Sequence, residues 1–321
     1  MGNTAPAAAS AHTSRPRVPA SASSVLRSRL TAAPSSLVPA AIFPGAVHLM
    51  DPATGHVVVA VVTHGAVVHP HAVVLGPGTG DRPLQGLRMD DEVVVADRRL
   101  TLPRGDIEVT RWWSPRPVLA GLDGPGVSFA SDRLRGLLSE RAPALPSLEA
   151  ERLRALNHAL LDADERAATR AARRLLGLGE GATPTGDDLL AGLFSAIVLF
   201  SAPVDDPAVE RLTRLADTVG DAVVAASEIS TTALSSALLR HAVRGEVCRP
   251  AGRLLIALAR RVGTPELDDA FDRLLAVGSS SGRDLAYGIL AGLDVLSGHV
   301  DDDAVLDIPT TSATLAATGS S

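Results

Sequence analysis

The sequence predicts an α+β fold, a small antiparallel β barrel or sandwich followed by an all-helical domain with two similar Gly-rich helix starts, and three observations carry that prediction. Between Leu37 and about Pro117, short β-branched runs alternate with turn-forming residues, the pattern of strands and tight turns. After about Ser131, apolar residues recur at three- and four-residue spacing, the period of helices with one buried face. The connection Gly121-Leu-Asp-Gly-Pro-Gly126 separates the two regimes.

The strand-length runs cover 46–49, 56–62, 66–75 and 92–96, with turn chemistry at 51–55, 76–80 and 103–106. Short strands joined by tight turns bury one face by packing as an antiparallel barrel or sandwich. The helical part opens on SDRLRGLLSERA and continues from Leu148 to Gly177, with further helices expected at 187–201, 207–219, 221–243, 250–262, 266–276 and 283–297. Residues 1–36, rich in Ala, Ser, Pro and Arg and lacking a continuous apolar stretch, read as a disordered tail rather than a signal peptide. The expected division is therefore a tail over 1–36, a β domain over 37–120, a helical domain over 131–298 carrying the Gly-rich motifs, and a loose acidic and Ser/Thr tail over 299–321.

Composition excludes several functions. A net charge of −6, a pI of 5.8 and 2% aromatic residues leave neither the basic stripe nor the stacking platforms of a nucleic-acid binder. The chain contains no lysine, so all 30 basic residues are arginine. That rules out a lysine-bearing P-loop, a pyridoxal Schiff base and a lysine-activated serine. Cys248 is the only cysteine, which leaves no intramolecular disulfide and no cysteine-built metal site. His69-Pro-His71 has no third ligand in view and reads as an exposed or core-edge strand. No metal and no cofactor is expected. The longest uncharged apolar run, Leu189 to Val204, is shorter than the roughly 20 residues that span a bilayer. A cytoplasmic protein without membrane contact is the expectation, with Trp112-Trp113 as the apolar seam between the domains.

The functional centre is placed at Gly177 to Gly192, GLGEGATPTGDDLLAG. Thr185-Gly-Asp-Asp188 and Ser281-Gly-Arg-Asp284 repeat one pattern, hydroxyl-Gly-x-Asp-Leu-x-x-Gly, and each matches a capping box. Capping accounts for Thr185, Asp188, Ser281 and Asp284 but not for Gly177, Gly179, Gly181 or Asp187. Glycines in such number imply positive φ or close approach to a ligand. A helix start behind small residues offers N–H groups and the positive end of the helix dipole to an anion. Two starts facing one another would form a two-sided pocket. Aspartates beside an anion need a task of their own, accepting ligand N–H groups or exchanging a proton. The expected catalytic residues are accordingly Asp187, Asp188 and Asp284. The expected substrate-binding residues are Gly179, Gly181, Thr183, Thr185, Gly186, Thr231, Thr232, Ser281 and Gly282. The ligand implied is a small anion that also carries amide groups. Gly192 and Gly288, one turn into each helix, are read as close-packing positions.

On these motifs the chain resembles the AllH family of oxamate carbamoyltransferase subunits. The run Gly177-Leu-Gly-Glu-Gly-Ala-Thr-Pro-Thr-Gly-Asp-Asp188 matches its hallmark, and Gly278-Ser-Ser-Ser-Gly-Arg-Asp284 matches a second motif, with Ser279 where the family is expected to carry histidine. The resemblance implies a subunit of an enzyme of purine and allantoin catabolism that exchanges a carbamoyl group between oxalurate and phosphate. It implies companion subunits, one of them similar to acyl-CoA synthetases. A non-catalytic ligand-binding or scaffold subunit of the same complex is the alternative.

Overall fold

A computed structural model describes residues 17–80, 82–119 and 122–300. The eight strands β1 (Arg17–Ser23), β2 (Ser35–Phe43), β3 (Ala46–Asp51), β4 (His56–Val62), β5 (Ala72–Leu75), β6 (Val93–Ala96), β7 (Arg99–Leu102) and β8 (Gly105–Trp113) close into one barrel. Its order is β1-β5-β4-β3-β2-β6-β7-β8, and the short helix α1 (Arg27–Thr31) follows β1. The α+β class stands, but the antiparallel barrel or sandwich does not. The barrel is mixed, because β1 runs parallel to β8 and β4 runs parallel to β5 while the other pairs are antiparallel.

Two features of the chain cause the difference. Residues 63–71, expected to lie largely within a strand over 66–75, instead form a connection that carries the chain across, so β5 re-enters beside β4 in the same direction. His69-Pro-His71 thus lies in a connection and not on a strand. Secondly, part of the segment read as a disordered tail supplies β1, which closes the ring between β5 and β8. Residues 1–16 and 301–321, and with them the first part of the expected N-terminal tail and most of the C-terminal one, lie outside the described residues.

Leu37, Val47, Leu49, Val59, Val61, Val93, Leu100 and Ile107 fill the barrel. The alternate residues of β4 and β5, Ala60, Val62, Ala72 and Val74, form a second apolar layer with Val68. That layer faces out of the barrel toward the helices, which is why these two strands are apolar on both faces. Trp113 belongs to it, with the Arg249 guanidinium 5.6 Å from its ring, whereas Trp112 packs on the barrel core beneath Arg27. Only the second tryptophan of the pair sits at the seam.

The helical part comprises α2 (Gly124–Arg141), α3 (Ser147–Leu161), α4 (Glu165–Leu175), α5 (Thr185–Ser201), α6 (Pro207–Ser230), α7 (Ala233–Ala242), α8 (Arg249–Ala259), α9 (Thr264–Leu275) and α10 (Ser281–Val300). The helices expected at 207–219 and 221–243 divide elsewhere. Gly220 lies inside α6, where an added Cβ would stand 3.0 Å from Val243, and the break falls at Thr231-Thr232. There the Thr232 hydroxyl caps α7 by accepting from the Ser235 N–H at 3.1 Å. No helix among the described residues is long and apolar enough to cross a membrane.

Helix α5 is the axis of this part, buried along almost its whole length, and α10 lies beside it. The two run parallel at backbone contact. A Cβ on Gly192 would stand 2.3 Å from the Leu285 carbonyl oxygen, and one on Gly288 would stand 2.1 Å from that of Leu189. These paired approaches relate equivalent positions of the sequence repeat, as a local two-fold axis along the helices would. The expected starts facing one another are therefore starts lying side by side, with both positive dipole ends in one place.

Because the obstructing atoms are backbone, Gly288→Ala should separate α5 from α10 and lower unfolding free energy by about 1–3 kcal/mol or more. Gly136→Ala, on the exposed side of α2 with nothing within 4 Å of the added methyl, should instead raise it by about 0.5–1 kcal/mol. Urea unfolding of both variants checks the pair.

Candidate functional site

The loop between α4 and α5 needs its glycines. Gly177, Gly179 and Gly181 have φ of +71°, +108° and +96°, in the region that favours glycine. Gly177 also approaches the backbone closely, since its Cβ would stand 2.2 Å from the Ser230 carbonyl oxygen. Gly186 and Gly282 have a different reason to be glycine. Each is tucked under the end of the preceding helix, its Cβ position 1.9 Å from Leu175 O and 1.8 Å from Leu274 O respectively.

The capping box does not form at α5. Its N-cap is Pro184, with no side-chain cap bond. The Thr185 hydroxyl donates across to Asp284 Oδ2 at 3.0 Å, while the Ser281 and Thr183 hydroxyls stand beside the Asp188 carboxyl and temper the rise that burial causes there. The Thr183 and Ser281 hydroxyl oxygens are 2.8 Å apart. Each repeat thus sets its hydroxyl against the carboxylate of the other, an arrangement available only because the starts lie side by side. Backbone N–H groups of the helix starts are also spoken for. Gly186 donates to Leu178 O at 2.8 Å, Asp187 and Asp188 to Pro184 O, Gly282 to Val277 O and Asp284 to Ser280 O.

The three aspartates occupy three environments. Asp187 is buried as a structural clasp, Oδ1 accepting from the Gly177 N–H at 2.8 Å and Oδ2 from the Thr231 hydroxyl. Asp284, fully buried, is paired with Arg283 at 2.6 Å as well as with Thr185. Among the described residues Asp188 has no cationic partner. Its Oδ2 is buried and unpartnered, and burial holds its carboxyl well above the usual range, with Asp284 and Asp187 adding to the rise. The asymmetry traces to one position of the repeat, which is Arg283 in the second copy and Asp187 in the first.

A cavity of about 600 Å³ opens between the barrel and these helix starts. Of the residues singled out from sequence, Gly181, Thr183, Asp188 and Ser281 line it. Gly179, Thr185, Gly186, Asp187, Thr231, Thr232, Gly282 and Asp284 do not. They hold the lining in place instead: Thr232 ties the loop by donating to Ala182 O at 2.7 Å, and Thr231 anchors Asp187.

The sequence reading missed the barrel side, where Phe43, His48 and His69 form the wall, and it missed Glu246, Cys248 and Ser279. Burial lowers His48 to about 4 and His69 to about 3, and pushes the Cys248 thiol up to about 11. His71 lies behind the wall, stacked on His241 with ring centroids 5.2 Å apart, and His241 Nδ1 is 2.6 Å from Glu246 Oε2. Among the described residues, no group of three or more His, Cys, Asp or Glu is arranged to hold a metal ion.

Residues 175–293 match the family model described as oxamate carbamoyltransferase subunit AllH, which bears out the resemblance read from the motifs. The match takes in both glycine-rich starts and most of α5 to α10, and the family description is that of one subunit of a multi-subunit enzyme. The barrel lies outside it. No solved structure matches the chain.

Asp187 and Asp188 should respond oppositely to substitution. Asp187→Ala orphans the Gly177 N–H and the Thr231 hydroxyl, and should cost about 1–3 kcal/mol. For Asp188 the folded pKa lies above the unfolded one, so the folded state keeps a proton that the unfolded chain has released. Stability conferred by that proton is present at low pH and is lost as pH rises through the folded value. Asp188→Asn escapes the loss, so its stability relative to wild type should be greater at pH 8 than at pH 4. Melting temperatures across that range read the difference.

Proposed function

We propose that the chain is the carbamoyl-ligand-binding subunit of an oxamate carbamoyltransferase-type enzyme, with the site in the cavity between the barrel and the paired helix starts. The observation that carries this reading is Asp188, a buried carboxyl with one oxygen left unpartnered on the lining of a cavity. A buried polar atom without a partner is costly, and a ligand hydrogen bond relieves it. Asp188 accepts from an amide N–H of the ligand or, keeping its proton, donates to it.

In carbamoyl transfer from oxalurate, a phosphate oxygen attacks the carbamoyl carbon and the bond to the oxamate nitrogen breaks. That nitrogen needs a proton as it leaves, and a protonated Asp188 supplies one. Ser281 and Thr183 aim the carboxyl. The N–H groups of Gly181, Ala182 and Thr183, which have no acceptor among the described residues, receive the ligand carboxylate. Asp187, Asp284, Thr185, Thr231 and Thr232 act as positioning residues; Gly179, Gly186 and Gly282 let the backbone close around them. Companion subunits, including the acyl-CoA-synthetase-like one, a cytoplasmic setting and a place in purine and allantoin breakdown belong to the same reading. None of the lining residues is arginine, which favours phosphate being supplied from a companion subunit and this chain holding the carbamoyl ligand.

Titration calorimetry of the purified chain should give heat with oxamate or oxalurate. In the reconstituted complex, Asp188→Asn should lower carbamoyl transfer by about 10²-fold or more without lowering the melting temperature at neutral pH. No heat with either compound overturns the ligand site. Full activity of Asp188→Asn overturns its role as proton donor.

A further inference from the structure

We infer that His48 and His69 supply the counter-charge of the ligand site, taking up one proton between them when an anion enters the cavity. The inference rests on the cavity being the ligand site, and it concerns barrel residues outside the matched family segment. The cavity presents a charge problem. Its lining includes Glu180, Asp188 and Glu246 but no arginine, and the chain has no lysine. An anion entering such a space meets no fixed cation, and in a poorly solvated cavity an uncompensated charge is strongly disfavoured. His48 and His69 are the lining side chains able to become cationic.

Their placement suits that task. The ring centroids are 5.4 Å apart, and the Nδ1 atom of each ring is buried with no partner. Both imidazoles therefore retain hydrogen-bonding capacity that the protein does not use. Burial keeps them neutral, His48 at about 4 and His69 at about 3. The surrounding groups reinforce this state. Behind the pair stands His71, 5.8 Å from His48 and 6.0 Å from His69, and beyond it come His241 and Arg240. Glu246 is engaged with His241, and Asp188 lies on the helical side, its carboxyl held well above the usual range by burial. Phe43 closes the edge against His48, with ring centroids 5.8 Å apart.

An arriving carboxylate reverses the balance, because an opposite charge within hydrogen-bond distance favours the imidazolium. One proton is enough, since a second on the neighbouring ring would meet like charge in the same low-dielectric space. An unfilled cavity thus stays uncharged on this wall, and only an anionic ligand draws the charge in. Affinity for the anion then falls as pH rises, by at most about tenfold per pH unit for a single proton.

Titration calorimetry of the full chain with oxamate, in two buffers of different ionisation enthalpy at pH 5.5, reads the proton directly, because an adjacent anion raises the value of about 4 at His48 by about one to three units. Uptake approaching one proton per oxamate is expected, and none with oxamide, its uncharged isostere. His48→Phe and His69→Phe should each weaken oxamate, and the double variant should weaken it by about tenfold or more and remove the uptake, with oxamide affected far less. A phenylalanine variant that fails to fold is replaced by glutamine at the same position, which keeps size and polarity but cannot take the charge. Oxamate binding without uptake overturns the proposal, as does uptake that persists in the double variant or an equal loss of oxamate and oxamide. Failure of oxamate to bind the wild-type chain overturns the ligand-site reading and this proposal together.

Discussion

Two glycines on neighbouring helices allow everything else at the site. With Gly192 against the Leu285 carbonyl and Gly288 against that of Leu189, α5 and α10 run parallel with no side chain between their backbones. Parallel alignment places both positive helix ends together, an arrangement that carboxylates in the first turn stabilise. Asp187 and Asp188 on α5 and Asp284 on α10 are those carboxylates. The same closeness lets Thr185 reach Asp284 and Ser281 reach Asp188. A wider pair would leave each hydroxyl to its own helix, as an ordinary cap, and would leave no reason for a carboxyl to be aimed outward.

The repeat also shows how one motif yields two different residues. Asp284 and Asp188 hold equivalent positions and receive equivalent hydroxyls, yet Asp284 is neutralised by Arg283 and Asp188 is not. Where the second copy has Arg283, the first has Asp187, whose carboxylate is consumed by the Gly177 N–H and Thr231. The repeated pattern supplies the scaffold, and the difference at this one position leaves one carboxyl unsatisfied on a cavity wall. A burial that is destabilising by itself is the usual mark of a group kept for chemistry.

Local pattern revealed the two helix starts, their glycines and the relation between them, because positive φ and helix initiation are properties of a few consecutive residues. It did not reveal which aspartate faces the cavity. Asp187 and Asp188 are adjacent and acidic, and only the packing of α10 and of the Thr231 corner tells them apart. The crossed hydroxyls were hidden for the same reason, since Thr185 and Asp188 satisfy a capping box on paper. His48 and His69 come from separate parts of the barrel, and no spacing rule joins them. The strand β1 was illegible for a further reason. Its residues, RVPASAS, have the composition of a tail, and Ala20 and Ala22 are buried because β5 and β8 flank them, not because the segment favours extended structure.

That first strand has a consequence for how the molecule comes into being. Arg17 pairs with Asp106, 89 positions later, so β1 leaves the ribosome long before the neighbour that completes the ring exists. Until β8 is made, the barrel is an open sheet, and the apolar lining of β4 and β5 is exposed along with unpaired edges. The helical part, which covers the outer apolar layer of those same strands, is synthesised later still. The order of synthesis therefore runs opposite to the order of protection, and the interval between β1 and β8 governs how long the nascent sheet stays open to pairing with another molecule.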